Sequence, residues 1–268
     1  MNIMLDGKYA LITGASEGLG KNMVIECARR NMHIIAVALP GIELESIKGL
    51  IAHNFPVRIE TIGVDLSTEA GCRHVYDAVK DLGVQINFLI NCAGVSLTKP
   101  FHEIDPERVS TVIRLNVLGT TMMTRYFMDD LLATAPSYIL SVSSLGSYFH
   151  LPNKQVYGAS KAYVYAFSRN MQTEYRNRGV SITVLCPGGL SSNIRSVTAN
   201  NQGGWVARQS ITPPEFVAKE AIQACLDGKD VVIPGKINKV LLLINRLLPT
   251  RIKGMITTAQ MNKLIEKK

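Results

Sequence analysis

The sequence has few cysteines and no long apolar run. Its five cysteines are odd in number and contain no C-x-x-C pair, which argues against a disulfide framework and indicates reduced thiols. The five histidines lack metal-ligand spacing, so we infer no metal. No apolar run approaches the length of a membrane span, and Asp6 and Lys8 interrupt the apolar N-terminal residues, so no secretory signal is visible. We therefore expect a cytoplasmic protein.

Acidic residues are also scarce, since 21 acids face 29 lysines and arginines and the formal net charge is +8. Such a charge is compatible with nucleic acid or an anionic surface as partner. The basic residues are scattered, however, and no recognised nucleic-acid motif is present. We expect a solvated basic surface and no nucleic-acid partner.

Short apolar runs alternate with segments of helical length along the chain. The runs cover residues 9–12, 33–38, 57–64, 86–91, 138–143, 181–186 and 230–233. This alternation predicts an α/β fold, a doubly wound parallel sheet of Rossmann-like type with helices on both faces. At 268 residues one domain is the default expectation, and ligands should bind at the carboxyl ends of its strands.

A glycine-rich turn follows the first apolar run. Gly14, Gly18 and Gly20 have the spacing G-x-x-x-G-x-G, and a helix-like stretch continues to about Arg30. A turn of this kind lets backbone amides approach a pyrophosphate and aims the positive end of a helix at it. The alternative is a turn that only closes the corner between a strand and a helix.

Tyr157 and Lys161 are four positions apart, thirteen residues after Ser144. A helix over residues 156–174 would place both on one face. A phenol with a pKa near 10 exchanges protons poorly at neutral pH, and a nearby ammonium would lower that value. Tyr157 is therefore a candidate acid/base, and the Ser144 hydroxyl a candidate group to hold a carbonyl oxygen. The alternative is an ordinary edge of an amphipathic helix.

In their order along the chain, these motifs resemble those of the short-chain dehydrogenase/reductase family. Residues 13–20 are similar to its TGxxxGxG turn, and residues 91–94 to its NNAG segment with cysteine in second position. The resemblance implies four catalytic residues: Asn116, Ser144, Tyr157 and Lys161. It also implies a cofactor site made by Gly14, Ser16, Glu17, Gly18, Leu19, Gly20, Asp65, Asn91, Ala93, Gly94, Tyr157, Lys161, Pro187 and Gly188.

Several of these residues have a purely structural alternative. Asp65 could cap a helix that begins near Ser67, and Asn116 in a helical run would normally be a solvated surface residue. Residues 91–94 could be only the turn that ends a buried strand, and residues 187–188 an ordinary turn. The joint order of the motifs favours the functional interpretation.

The resemblance implies an NAD(P)-dependent oxidoreductase of lipid metabolism that interconverts a ketone and a secondary alcohol. It would reduce a small hydrophobic ketone or ketoacyl substrate with NADPH. Tyr157 would transfer the proton, Lys161 would lower the tyrosine pKa and bind the nicotinamide ribose, and Asn116 would anchor a water. We expect a homodimer or homotetramer. The alternative is a non-catalytic dinucleotide-binding protein with a regulatory or membrane-surface role.

The choice of cofactor depends on the end of the second strand. Ala38 and Leu39 stand where NAD-selective relatives carry an acid and NADP-selective relatives an arginine. The absent acid removes a repulsion against the 2′-phosphate of NADP. Glu17 indicates the opposite, because basic residues are common there in NADP-dependent relatives. We expect NADP(H) rather than NAD(H).

The last part of the chain differs from the rest in composition. We expect a catalytic domain over residues 1–235, which includes a substrate loop at 189–214, and an amphipathic basic extension over 236–268. The leucine-rich run fits a helix at a membrane surface or over a lipophilic pocket, or else a helix packed on its own core or on a partner. It is loosely similar to the extensions of ketosphinganine reductases and microsomal hydroxysteroid dehydrogenases. Trp205, Pro213 and Pro214 suggest a mobile lid.

Overall fold

A computed structural model of the chain describes residues 7–191 and 210–247, and these residues contain one parallel sheet of seven strands in the order β3-β2-β1-β4-β5-β6-β7. The strands are β1 (Tyr9–Thr13), β2 (His33–Ala38), β3 (Ile59–Gly63), β4 (Ile86–Asn91), β5 (Ser137–Val142), β6 (Val180–Leu185) and β7 (Val231–Val232). The doubly wound sheet predicted from the sequence is confirmed. Its order reverses between β1 and β4, which is where such sheets bind ligands.

Helices connect successive strands. The α-helices of the described ranges are α1 (Gly18–Arg29), α2 (Ile42–Asn54), α3 (Glu69–Asp81), α4 (Pro106–Ile113), α5 (Thr120–Ala133), α6 (Gln155–Tyr175), α7 (Pro214–Leu226) and α8 (Lys236–Leu247). A π-helical segment, Arg114–Gly119, joins α4 to α5, and a 3-10 turn, Leu145–Tyr148, follows β5.

The central strands are mostly apolar because both faces of the sheet are covered. Ile12 and Phe88 belong to a cluster that packs under α1, α2 and α7. Leu11 and Ile139 point to the opposite face and pack with Phe127 of α5 and with α3. Successive strand residues thus serve two cores, which is the pattern of a parallel sheet between helical layers.

Most of the lid predicted over residues 189–214 lies outside the described residues, and its last two residues belong to the start of α7. Pro213 caps α7 and Pro214 is its first helical residue, a position where the missing N–H of proline costs no hydrogen bond. Trp205 lies outside the described residues. In the C-terminal extension, α8 begins at the predicted boundary, and residues 248–268 are outside the described part of the chain.

The Thr13 side chain joins the two turns at the switch point of the sheet. Its buried hydroxyl donates to the Ile90 carbonyl (3.3 Å) and accepts from the amides of Cys92 (3.0 Å) and Ala93 (3.1 Å). One hydroxyl at the end of β1 therefore satisfies two backbone donors of the segment that follows β4. This contact holds the glycine turn against residues 91–94.

We expect Thr13→Val to lower the free energy of unfolding by about 1–3 kcal/mol, because valine keeps the shape but leaves these amides without an acceptor. Thr13→Ser keeps the hydroxyl and should cost less than Thr13→Val. Urea unfolding of the three proteins measures the difference. A valine variant as stable as wild type would contradict this account of the turn.

Candidate active site

The glycine turn is packed too closely for other residues. Gly14 has φ +67°, and a Cβ there would lie 2.8 Å from Cα of Ala93. A Cβ on Gly20 would overlap the Gly14 carbonyl. Gly14 lets the glycine turn lie against the segment after β4, and Gly20 lets the first turn of α1 lie against the glycine turn.

No side chain caps the amino end of α1. Glu17 is the N-cap residue, is exposed, and makes no side-chain cap hydrogen bond, and no acid lies in the first turn. The first amides of the helix are therefore available to an outside acceptor, and the helix dipole favours an anion there. Ser16 is half-buried in the turn, whereas Leu19 is buried in the core and offers only its backbone. This site fits the pyrophosphate of a dinucleotide.

Asp65 lies just beyond β3 and is exposed. Its carboxylate accepts from the Ser67 amide (2.8 Å) and the Ser67 hydroxyl (2.9 Å). The cap of α3 is Thr68, whose hydroxyl accepts from the Gly71 amide, so the alternative that Asp65 itself caps the helix is not what the fold shows. The carboxylate is held at the carboxyl edge of the sheet.

Asn91 ends β4 and is buried. Its amide group donates to the Thr124 hydroxyl of α5 at 2.9 Å, while its Oδ1 has no hydrogen-bond partner among the described residues. Gly94, three residues on, is exposed and lies against the next part of the site. A Cβ at Gly94 would lie 3.0 Å from Asn116 Oδ1 and 3.1 Å from Lys161 Nζ. Residues 91–94 thus run from the glycine turn to the candidate catalytic residues.

Asn116 is fully buried, unlike an ordinary helix-interior asparagine. It lies in the π-helical segment, a distortion that is frequent at functional sites. Its Oδ1 accepts from the Val95 amide (2.9 Å), and its Nδ2 donates to the Val95 carbonyl (3.1 Å) and to the Ser160 hydroxyl (2.9 Å). Ser160 in turn donates to the Tyr157 carbonyl at 2.8 Å. Asn116 therefore ties the loop after β4 to α6.

Ser144, Tyr157 and Lys161 meet at the carboxyl ends of β4, β5 and β6. The Ser144 hydroxyl accepts from the Gly146 amide (3.0 Å) and shares a side-chain hydrogen bond with Tyr157. Lys161 is buried, and its ammonium donates to the carbonyl of Val142, the last residue of β5 (2.8 Å). A proton donor, a hydroxyl that can hold an oxygen and a cation thus lie beside the glycine turn.

A family model described as short chain dehydrogenase matches residues 8–203 of the chain. The chain belongs to this family. Very-long-chain 3-oxoacyl-CoA reductase-A of Danio rerio is 32% identical to it over 187 residues, which are 68% of this chain and 57% of that protein. The matched part therefore spans less than two thirds of the length of that relative.

Solved structures share the fold. The structure of L-sorbose reductase from Gluconobacter frateurii, complexed with NADPH and L-sorbose, has a TM-score of 0.78 and 23% identity, with 88% of this chain and 98% of that chain covered. A short-chain dehydrogenase/reductase from Burkholderia phymatum in complex with NAD has a TM-score of 0.79 and 20% identity, with 91% and 94% covered. Structures of this fold thus hold either nicotinamide cofactor.

Burial is the largest influence on the pKa of Tyr157 in this short-chain dehydrogenase, and the lowering by Lys161 stays a prediction. Burial raises the pKa of Tyr157 above its ordinary value, and the hydrogen bond with Ser144 is the opposing influence. Burial also lowers the pKa of Lys161 itself to about 8. Helical spacing put both residues on α6, but burial is the largest influence on the pKa of each.

The turn at residues 187–188 contacts a residue that sequence reasoning missed. The Pro187 carbonyl accepts from the Leu145 amide (2.7 Å), which holds the turn beside Ser144. A Cβ on Gly188 would lie 2.6 Å from Nδ2 of Asn238 in α8. Asn238 is buried and donates to the carbonyls of Ser210 (3.2 Å) and Pro234 (2.7 Å). The sequence signal for Asn238 was a polar residue on the apolar side of the leucine-rich run.

The depressed pKa of Lys161 predicts a pH dependence of stability. Between pH 8 and the ordinary value of 10.5, the unfolded chain binds the lysine proton and the folded chain has released it. The free energy of unfolding should therefore rise with pH across this window, by about 3 kcal/mol from this group.

Lys161→Met removes this contribution. We expect the difference in unfolding free energy between wild type and variant to shift in favour of wild type as pH rises from 8 to 10.5, because other titrating groups cancel in the comparison. Urea unfolding at several pH values measures it. A difference that does not change with pH would show that the folded lysine keeps its ordinary pKa.

Proposed function

We propose that this short-chain dehydrogenase is an NAD(P)-dependent oxidoreductase that reduces a hydrophobic ketone or ketoacyl substrate to the secondary alcohol. The observation that carries the proposal is the meeting of Ser144, Tyr157 and Lys161 beside a glycine turn at the switch point of the sheet. The similarity to the relative from Danio rerio, a very-long-chain 3-oxoacyl-CoA reductase, supports a ketoacyl substrate. The alternative of a non-catalytic dinucleotide-binding protein is not favoured, since the chain keeps both the tyrosine and the lysine.

A bound nicotinamide dinucleotide would supply the hydride. The residues that would hold it are Gly14, Ser16, Glu17, Gly18, Leu19, Gly20, Asp65, Asn91, Ala93, Gly94, Tyr157, Lys161, Pro187 and Gly188. The amides at the start of α1 would bind the pyrophosphate, because no side chain of the helix caps them. The Lys161 ammonium uses one of its three donors on Val142, and the others suit ribose hydroxyls.

Tyr157 gives its phenolic proton to the substrate oxygen, and the Ser144 hydroxyl holds that oxygen by hydrogen bond. The raised pKa of Tyr157 keeps the phenol protonated at neutral pH, which suits a proton donor and therefore the reductive direction. Asn116 keeps the backbone of Tyr157 in place through Ser160. Its role as the anchor of a water that relays protons stays a prediction.

The end of β2 supports NADP(H). Ala38 is buried, Leu39 is 64% exposed, and neither offers a carboxylate to a ribose 2′-hydroxyl or repels a 2′-phosphate. Glu17 is exposed at the glycine turn and acts against this choice. We propose NADP(H) as the preferred cofactor because no acid stands at the end of β2, where the ribose would bind.

We expect Tyr157→Phe to lose all but a few per cent of the turnover of wild type while dinucleotide binding stays nearly unchanged, because only the proton donor is removed. The assay uses ketones, β-ketoacyl thioesters and long-chain keto-amines, each with NADPH and with NADH. NADPH should support the higher kcat/KM. Substantial turnover in the variant would refute the role of Tyr157.

Tyr163→Phe is the matched control on the same helix. Its hydroxyl contacts Thr121 at 3.0 Å on the exposed side of α6, so this variant should keep the rate of wild type. Failure of every ketone with both cofactors in the wild-type chain would refute the proposed reductase.

The exposed face of α8 supports contact with a membrane surface. Its apolar residues there are Ile237, Val240, Leu243, Ile244 and Leu247, which are 38–78% exposed. The opposite face holds buried Asn238 and Leu242, and Asn245 donates to the Tyr148 carbonyl at 2.9 Å. The alternative that the helix packs on its own core therefore holds for one face only. No helix among the described residues is long and apolar enough to cross a bilayer.

Charge favours an anionic surface as the occupant of this apolar face. The sequence from residue 231 to 265 contains no acid and six cations: Lys236, Lys239, Arg246, Arg251, Lys253 and Lys263. A helix with an apolar face and flanking cations binds at the interface of anionic membranes. We propose that the protein lies in the cytoplasm at such a surface, and its five free thiols support this location. The homodimer or homotetramer stays a prediction.

We expect the wild-type chain to float with anionic liposomes and a Val240→Gln, Ile244→Gln variant to stay unbound, because these substitutions remove exposed apolar area without touching the packed face. Leu50→Gln, Leu82→Gln is the control, since both leucines are exposed on other helices. Equal flotation of the two variants would exclude α8 as the contact. Truncation before Lys236 is a poorer test because it uncovers the core under Leu242.

A further inference from the structure

A second lysine lies against the candidate proton donor. Nζ of Lys154 is 5.7 Å from the centroid of the Tyr157 ring, within the distance at which a cation and an aromatic face attract each other. Lys154 is the residue immediately before α6, three positions ahead of the tyrosine. Lys154 belongs to no family motif, whereas Lys161 belongs to the Tyr-x-x-x-Lys motif. The contact is therefore specific to the way this loop enters the helix.

The Lys154 ammonium makes no ion pair with any carboxylate of the described residues. Among residues 7–191 and 210–247, no carboxylate lies within ion-pair distance of it, whereas nearby Lys99 pairs with Glu103. The side chain is half-buried, and burial lowers its pKa. An unpaired cation in a desolvated position is costly, and the Tyr157 ring is the one attractive partner that the described residues provide.

The backbone holds Lys154 in this place. Its amide donates to the Leu151 carbonyl (3.2 Å), and its carbonyl accepts from the Gly158 amide (2.7 Å) in the first turn of α6. Asn153, just before it, has φ +61°, and its carbonyl accepts from the Lys99 amide at 2.8 Å. The backbone of the loop that carries the lysine is thus fixed at both ends, which sets where its side chain starts.

The other ionisable groups around the tyrosine are neutral or exposed near neutral pH. Burial raises the pKa of Cys92 and of Cys186, the two thiols near Lys161, to about 11, and it raises that of Tyr148 further. His150 is exposed in the same loop. Lys161 carries the remaining charge, and its ammonium donates a hydrogen bond to the Val142 carbonyl.

We propose that Lys154 is a positioning residue whose ammonium, set over the Tyr157 ring, favours the phenolate and so determines how readily Tyr157 exchanges its proton. The catalytic role of Lys154 rests on the proposed function, whereas the contact between its ammonium and the Tyr157 ring does not. It assigns to Lys154 the task that sequence spacing assigned to Lys161.

The sign of the effect follows from charge. A cation beside the ring stabilises the phenolate relative to the phenol, so removing the charge should raise the pKa of Tyr157 by about half a pH unit. Arginine keeps its charge at every accessible pH, whereas burial lowers the pKa of Lys154 and so favours the loss of its charge at high pH. The pKa of Tyr157 should therefore be highest with methionine at position 154, intermediate with lysine and lowest with arginine.

The test is a titration of phenolate absorbance in wild type, Lys154→Met and Lys154→Arg. Each protein is compared with the same protein carrying Tyr157→Phe, so that the difference reports this tyrosine alone. No substrate or turnover is needed, and a chain inactive on every ketone would refute the reductase without affecting this measurement. Lys48→Met, at an exposed lysine of α2 paired with Glu60, is the control for a change in net charge.

The kinetic readout is the pH profile of kcat/KM for ketone reduction. Its alkaline limb should move to higher pH in Lys154→Met and to lower pH in Lys154→Arg, with no movement in Lys48→Met. If Lys154→Met fails to fold, the arginine variant decides alone: a Tyr157 pKa below that of wild type supports the proposal. Equal Tyr157 pKa values overturn it, and a raised KM with an unmoved titration would show that Lys154 instead binds an anionic group of the substrate.

Discussion

The site depends on a lysine that is buried and that pairs with no carboxylate of the described part of the chain. The Lys161 ammonium is held by the Val142 carbonyl at the end of β5, and a buried cation is tolerated only when such contacts fix it. Gly94 must lack a side chain to lie beside it, and the Ser143 hydroxyl holds the lysine backbone at 2.7 Å. The ends of β4 and β5 and the start of α6 are therefore built around one charge.

The sheet and the glycine turn could be predicted from the sequence because their signals are local. Alternating apolar runs and a strand-turn-helix pattern need no knowledge of distant contacts. Asn116 could not be placed in the same way. Its burial depends on Val95 and Ser160, which come close only after folding, and on a π-helical segment that composition does not signal. The contacts of the Thr13 hydroxyl with the segment after β4 could not be predicted for the same reason.

Spacing predicted which residues share α6 but not how their charges act. Tyr157 and Lys161 are neighbours along the helix, yet desolvation dominates the pKa of each. The cation over the ring belongs to Lys154, which precedes the helix and has no motif to mark it. Electrostatic roles follow from burial and orientation, and both are properties of the folded chain.

The packed face of α8 links the proposed membrane contact to the chemistry. Asn245 donates to the carbonyl of Tyr148, which ends the 3-10 turn that Ser144 begins, and Asn238 lies against Gly188. The opposite face of the same helix carries the exposed apolar residues. A surface that orients α8 would thus act directly on the turn that holds the Ser144 hydroxyl and on the turn after β6. Under the proposed membrane contact, docking and substrate positioning would share this one helix, and a hydrophobic substrate would reach the site from the membrane surface.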